Sequence, residues 1–156
     1  MAYIKFEGVD GEATDRDHGN WSELLSFSQS INASTGDGAT RRRGDVVLED
    51  VVVRKTLDRA SPKLAGAIAQ GKVFPKVEIH LTASYTDVGR VTYYAYERKN
   101  VQVVSYRVGS SSPSDGAMES FSLNFEEIKV TYTENDSAGK TKGNTAYTWK
   151  VEEGAS

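Results

Sequence analysis

The sequence predicts a mainly β fold: a β-barrel built from two antiparallel-rich sheets, with one short flanking α-helix at about residues 61–70, in a single domain spanning 1–156. Three observations predict it. Apolar and polar residues alternate along several separate stretches, the period of a half-buried strand. Segments rich in Gly, Ser and Asn divide those stretches, and such residues mark turns. Only one segment, Lys55–Gly71, changes to helical spacing. Many strands with a single helix are best accommodated by a sheet that closes on itself.

Taken in order, Ala2–Phe6 is a short first strand closed by Gly8 and Gly11, and a polar loop follows to Asn20. Trp21–Ile31 sets Leu25, Phe27 and Gln29 against Ser26, Ser28 and Ser30, a strand with one apolar face near its start. Residues Asn32–Gly44 contain nothing apolar larger than Ala and are expected to form a long exposed loop. Asp45–Lys55 is rich in Val and Leu and reads as one strand whose imperfect alternation implies apolar neighbours on both faces.

In the helical segment, Ser61 is expected to cap the helix and Pro62 to occupy its first position. Leu64 and Ile68 are expected to share the buried face, and Gly71 to end the helix in a left-handed conformation. Gly66 in mid-helix implies something packed closely against it. Val73–Tyr85 alternates cleanly, with Val77, Ile79, Leu81 and Ala83 on one side. Val91–Val104 is one long bent strand or two. Phe121, Leu123 and Phe125 have the opposite parity to Ile128, Val130 and Tyr132, so a bulge near Glu126 is expected to restore one inward face. A last strand, Ala146–Val151, carries Trp149. The total is about eight or nine strands.

Composition excludes several function classes. The net charge of −3 gives no global attraction to nucleic acid or to an anionic membrane. The absence of cysteine removes disulfides, thiolate metal sites and Cys nucleophiles. No apolar run reaches the roughly 18 residues of a membrane span, so no membrane insertion is expected. The first residues, MAYIKFEGVDGE, lack the apolar core of a Sec signal, so synthesis in the cytoplasm and any exit by another route are expected.

No catalytic constellation is expected. His18 and His80 are far apart in sequence, and His80 on a polar strand face reads as solvated or hydrogen-bonded. Asp15, Asp17 and His18 lack the ligand spacing of a calcium loop, so no metal and no cofactor is expected. No nucleophile elbow surrounds the serines. Glu49-Asp50 and Glu126-Glu127 are adjacent and would face opposite sides of a strand. Gly36, Asp37 and Gly38 followed by Arg41, Arg42 and Arg43 lack the continuation of a phosphate-binding loop, so no nucleic acid is expected there. The readings left for these residues are a solvated surface loop or a loop that contacts protein. Exposed strand edges in a β-rich chain likewise point to self-assembly into rings or filaments.

Asp58, Ser61, Pro62 and Leu64, followed by Gly71, Lys72 and Pro75, resemble the helix signature of the Hcp (haemolysin-coregulated protein) family. The run Glu119–Thr133, then Gly139-Lys140 and Trp149, is similar to that family's C-terminal strands. IKFEGVDGE and the His18, Trp21 and Ser26-Phe27-Ser28 stretch match its N-terminal pattern more loosely.

The resemblance implies a tube protein of a type VI secretion system. Such a protein forms homo-hexamers whose rings stack, works with sheath, spike and baseplate proteins, carries small effector cargo in its lumen, and is expelled from the cell. Phe121, Leu123, Phe125, Ile128, Val130, Tyr132 and Trp149 are then core or strand residues. Gly36, Asp37, Gly38 and Arg41–Arg43 belong to a loop reaching the next ring. The Arg cluster departs from the glycine-rich loop commoner in the family. A phage-tail-like or extracellular contractile injection tube shares this pattern. A monomeric β-barrel ligand-binding module, with Tyr93, Tyr94 and Tyr96 at its site, is a further alternative.

Replacing Arg41, Arg42 and Arg43 together by Glu is expected to weaken ring stacking while the subunit stays folded. Unchanged tube formation by electron microscopy would remove this loop from assembly.

Overall fold

The computed structural model describes residues 1–15, 17–33, 46–48, 50–85, 89–109, 117–135 and 141–150. Gly36–Gly38 and Arg41–Arg43 lie outside them. The described chain is mainly β, with one short helix, and every strand pairing is antiparallel.

The first strands are β1 (Ala2–Phe6), β2 (Ser22–Leu24), β3 (Ser26–Ser28), β4 (Ile31–Ala33), β5 (Val46–Leu48) and β6 (Val51–Thr56). Helix α1 (Ser61–Gln70) follows. The chain then forms β7 (Val73–Tyr85), β8 (Gly89–Gly109), β9 (Met118–Asn124), β10 (Glu127–Asn135) and β11 (Thr141–Lys150).

Nine strands make one sheet, ordered β2-β1-β7-β8-β9-β6-β3, with β10 joined to β8 and β11 to β10. The two ends of the path, β2 and β3, are separated in sequence by Leu25 alone, whose N–H donates to Arg54 O at 2.8 Å. The sheet therefore curls until its ends come from one stretch of chain. Its ladder stays open, because β2 pairs with β1 and β3 with β6. The 21-residue β8 is the hub: β7 runs along one side, β10 and then β9 along the other.

The long apolar run before the helix is divided. β5 pairs with β4 in a separate two-stranded sheet, whereas β6 belongs to the main one. Within β6 the alternation is strict: Val51, Val53 and Lys55 are buried, and Val52, Arg54 and Thr56 exposed. The imperfect period of the run is the junction of two strands in different sheets. The stretch from Trp21 is divided in the same way, into β2, β3 and β4.

β8 is one long strand, bent at Asn100, whose φ of 54° lies in the left-handed region. Lys99 pairs with Glu127 and Gln102 with Asn124, so both strands spend the same number of residues on the bend. No residue is inserted at Glu126. Instead the two strands change faces together: Val101 and Phe125 are buried on one side of the bend, Arg98 and Ile128 on the other. Asn100 Nδ2 donates to Glu126 Oε2 at 2.7 Å and holds the bend. The one-residue register shift falls further along, between Val103 and Ser105.

The core collects Ile4, Phe6, Val51, Val53, Leu64, Phe74, Val77, Ile79, Phe121, Leu123 and Ile128, among others. Helix α1 and its cap residue cover one side with Ala60, Leu64 and Ala67, spaced four and three apart. Ile68 is 37% exposed, so its expected pairing with Leu64 fails. The helix ends as expected. Gly71 has φ 60°, its N–H donates to Ile68 O, and the Lys72 N–H reaches Ala67 O at 3.0 Å. That pair of bonds is a Schellman closure.

The start of the helix differs from expectation. Ala60 occupies the cap position with helical angles, and no side chain caps the first turn. The hydroxyl of Ser61 points into the protein instead. Gly66 also has open space where a Cβ would stand, so close packing does not explain it.

Two glycine substitutions should act in opposite directions. A Cβ on Gly11 would overlap Ser22 Oγ and the Trp21 carbonyl, so Gly11→Ala is expected to cost about 1–3 kcal/mol. Gly66→Ala is expected to stabilise by about 0.5–1 kcal/mol. Denaturant melts of both variants check the pair.

Candidate functional site

Three groups of polar side chains are concentrated enough to be candidate sites. The first lies beneath the N-terminus of α1. Strict alternation in β6 turns Lys55 inward, where it is fully buried, and it forms an ion pair with the buried Glu119 of β9. Lys55 Nζ also donates to Asp58 Oδ1 at 2.8 Å, and lies 3.4 Å from Ser61 Oγ. Ser61 Oγ donates to Glu119 Oε1 at 3.0 Å and accepts the Asp58 N–H at 3.0 Å. Asp58 accepts from the Ala60 N–H and from Ser22 Oγ, and Tyr106 OH donates to Glu119 Oε2. Burial, and then the bond to Glu119, raises the Tyr106 phenol above its ordinary range.

A serine beside a lysine is one form of nucleophile and base. Here the lysine is engaged by two carboxylates and Ser61 is buried, so no substrate reaches the oxygen. The cluster fastens the helix to the sheet.

The second group joins residues 62 apart in sequence. His18 is buried; its Nδ1 lies 2.6 Å from Asp15 Oδ2 and its Nε2 lies 3.0 Å from His80 Nδ1. His80 Nε2 lies 3.3 Å from Glu78 Oε2, and Lys76 Nζ holds the other oxygen of Glu78 at 2.9 Å. Tyr3 stacks on His18 with ring centroids 4.6 Å apart, and Trp21 packs against both imidazoles. The His80 bond does most to hold Glu78 down at about 2, against burial, with Lys76 assisting. All four ring nitrogens are engaged within the protein, which leaves none for a substrate. Among the described residues, no three or more His, Asp or Glu side chains are arranged to hold a metal ion.

The third group is Arg98 on β8. It is fully buried, donates from Nη2 to Gln29 Oε1 at 3.2 Å, and lies over the rings of Tyr96 and Phe125. Burial pulls its guanidinium down to about 10 and pushes the Tyr96 phenol up to about 12.

Of the residues singled out in the sequence, Asp58 and Ser61 come together in the first cluster. Leu64 lies in the core, Pro62 is exposed at the start of α1, and Gly71 closes the helix. Phe121, Leu123, Phe125, Ile128 and Val130 are buried, and Trp149 packs against the core. Tyr132 continues the face of Ile128 and Val130 but is 45% exposed, because the β10–β11 hairpin extends beyond the core. Lys55, Glu119, Tyr106 and the pairing of His18 with His80 carried no local signal. A lysine at a buried position of an alternating strand was the one trace available.

The fold and its clusters define a class: a β domain stapled by buried ion pairs, with a protruding hairpin and no assembled catalytic group among the described residues. Residues 3–132 match the family model described as type VI secretion system effector, Hcp, and the chain belongs to that family. It is 29% identical to Protein hcp1 of Pseudomonas aeruginosa over 96% of this chain and 93% of that protein. A solved type six secretion system protein aligns with a TM-score of 0.90 at 28% identity, over 98% of this chain and 96% of the other. The fold also matches Hcp1 from Salmonella typhimurium, with a TM-score of 0.78 at 22% identity and coverage of 97% and 95%.

Lys55→Met is expected to destabilise by about 3–5 kcal/mol, since it leaves Glu119 buried and uncompensated. Lys55→Met with Glu119→Leu should recover most of that loss. Thermal melts of the single and double variants separate a fastening role from a merely tolerated pair.

Proposed function

We propose that this protein is a structural subunit of the inner tube of a type VI secretion system. It assembles in the cytoplasm into hexameric rings that stack, carries effectors in the lumen, and is driven out by a contractile sheath with spike and baseplate proteins. It performs no bond chemistry of its own. Family membership and the 0.90 match to a type six secretion system protein support the secretion reading.

The observation that carries assembly is the β10–β11 hairpin. Among the described residues β11 pairs with β10 alone, so the other side of residues 141–149 meets no described strand. Beside it Tyr132 and Tyr147 are 45% and 43% exposed, and Tyr94 lies against Tyr132. An open edge next to exposed aromatics is costly for a lone subunit and useful for one that joins others. Head-to-tail joining around a closed rotation gives a ring with no free edge.

Native mass and negative-stain microscopy test this directly. Open-centred rings of six times the 17.1 kDa chain mass are expected. A monomer at all concentrations, with and without sheath and baseplate partners, overturns the reading. Tyr132→Glu with Tyr147→Glu is expected to shift rings toward monomers by at least about tenfold in subunit affinity, as for charges placed in an apolar contact. The change should leave the melting curve within about 0.5 kcal/mol.

A further inference from the structure

Strand alternation turns Arg98 into the body of the protein. Its partners across the ladder are Val77 on β7 and Ile128 on β10, both fully buried. Two residues earlier on the same face, Tyr96 stands between Ile79 and Val130. The acidic residues beside it in sequence and register, Glu97 and Glu127, belong to the opposite face, where they line a groove with Lys99 and Lys129. The guanidinium therefore lies among apolar side chains.

Its donors are mostly unmatched. Nη2 donates to Gln29 Oε1 at 3.2 Å. Nε and Nη1 are buried without an acceptor, and so is Gln29 Nε2. The Gln29 amide cannot be turned over to relieve this, because N–H would then face N–H. Burial pulls the guanidinium down to about 10, so it is still charged at neutral pH. A buried charge without a counter-charge is costly. Among the described residues, no carboxylate pairs with Arg98.

The donor set selects the ligand. A water molecule needs acceptors for its own protons, and Gln29 Oε1 is already taken by Nη2. A tetrahedral oxyanion carries more oxygens than these donors serve, and an organic carboxylate brings a tail into a closed core. A halide donates nothing, accepts from several directions and balances one positive charge. Tyr96 and Phe125 supply apolar walls, with ring centroids 4.8 and 5.5 Å from the guanidinium carbon.

We propose that Arg98 and Gln29 form a buried binding site for one small monovalent anion of the halide class. The anion compensates the guanidinium. It also ties Gln29, in the stretch between β3 and β4, to the middle of β8.

The test uses the intact chain, with bromide alone as the probe. Crystals grown in sodium bromide should show anomalous density within hydrogen-bonding distance of Arg98 Nε or Nη1 and of Gln29 Nε2. In melts at constant ionic strength, replacing gluconate by bromide should raise the midpoint. The rise should be about 3–6 °C once bromide reaches about ten times its dissociation constant. Arg98→Met removes charge and donors together and should abolish the rise. Should that variant fail to fold, Gln29→Leu keeps the guanidinium and should need about tenfold more bromide or greater for the same rise. Density confined to exposed side chains, an adventitious ion only, overturns the proposal. So does a water at the site, or a rise that either variant leaves unaltered.

Discussion

The contact on which the rest depends is the buried pair of Lys55 and Glu119. Removing both charges from water is costly, and the cost is offset because Asp58, Ser61 and Tyr106 satisfy the remaining donors and acceptors. The geometry tolerates little variation. β6 must pair with β9 in the register that sets Lys55 opposite Glu119, and the chain must turn after Thr56 so that Asp58 and Ser61 arrive over them. A purely apolar contact would accept several helix positions. This cluster accepts one, and it places Leu64 and Ala67 in the same core cluster as Phe74 and Val101.

The same economy governs the sheet. β8 serves different partners along its length, and the paired change of faces at Asn100 and Glu126 makes this possible. On one side of the bend the inward residues close the core. On the other the sheet continues into the β10–β11 hairpin, where Tyr132 and Tyr147 run out into solvent. The inner body and the outward hairpin are therefore one continuous structure, and a load applied to the hairpin reaches the core through β8.

Legibility in the sequence followed the range of the interactions. The helix and its Gly71 closure were readable because capping chemistry is local, and β7 because Val77 and Ile79 alternate with Glu78 and His80. Ser61 departs from its local signature: a serine before Pro62 has the pattern of a cap, and only the approach of Glu119, 58 residues away, turns its hydroxyl inward. The division of β5 from β6 was hidden because valines continue across two sheets. Ile68 has the spacing of a core residue, four after Leu64, but the helix is rotated so that Ala67 faces inward. The meeting of His18 and His80 depends on β1 pairing with β7 on one side and β2 on the other, a matter of topology that neither residue's neighbours reveal.

That topology has a consequence for the order in which the chain matures. β7, β8 and β9 follow one another and pair as they come, so a meander can form as soon as residue 124 is available. The β1–β2 pair cannot join that meander until β7 exists, and the β3–β6 pair must wait for β9. The first strand, with Tyr3, Ile4 and Phe6, can meet β2 early but emerges long before β7, its partner on the other side. Such non-local pairing slows folding and lengthens the time during which apolar segments are open to aggregation. For this chain, the strand made first has one side open until the seventh arrives.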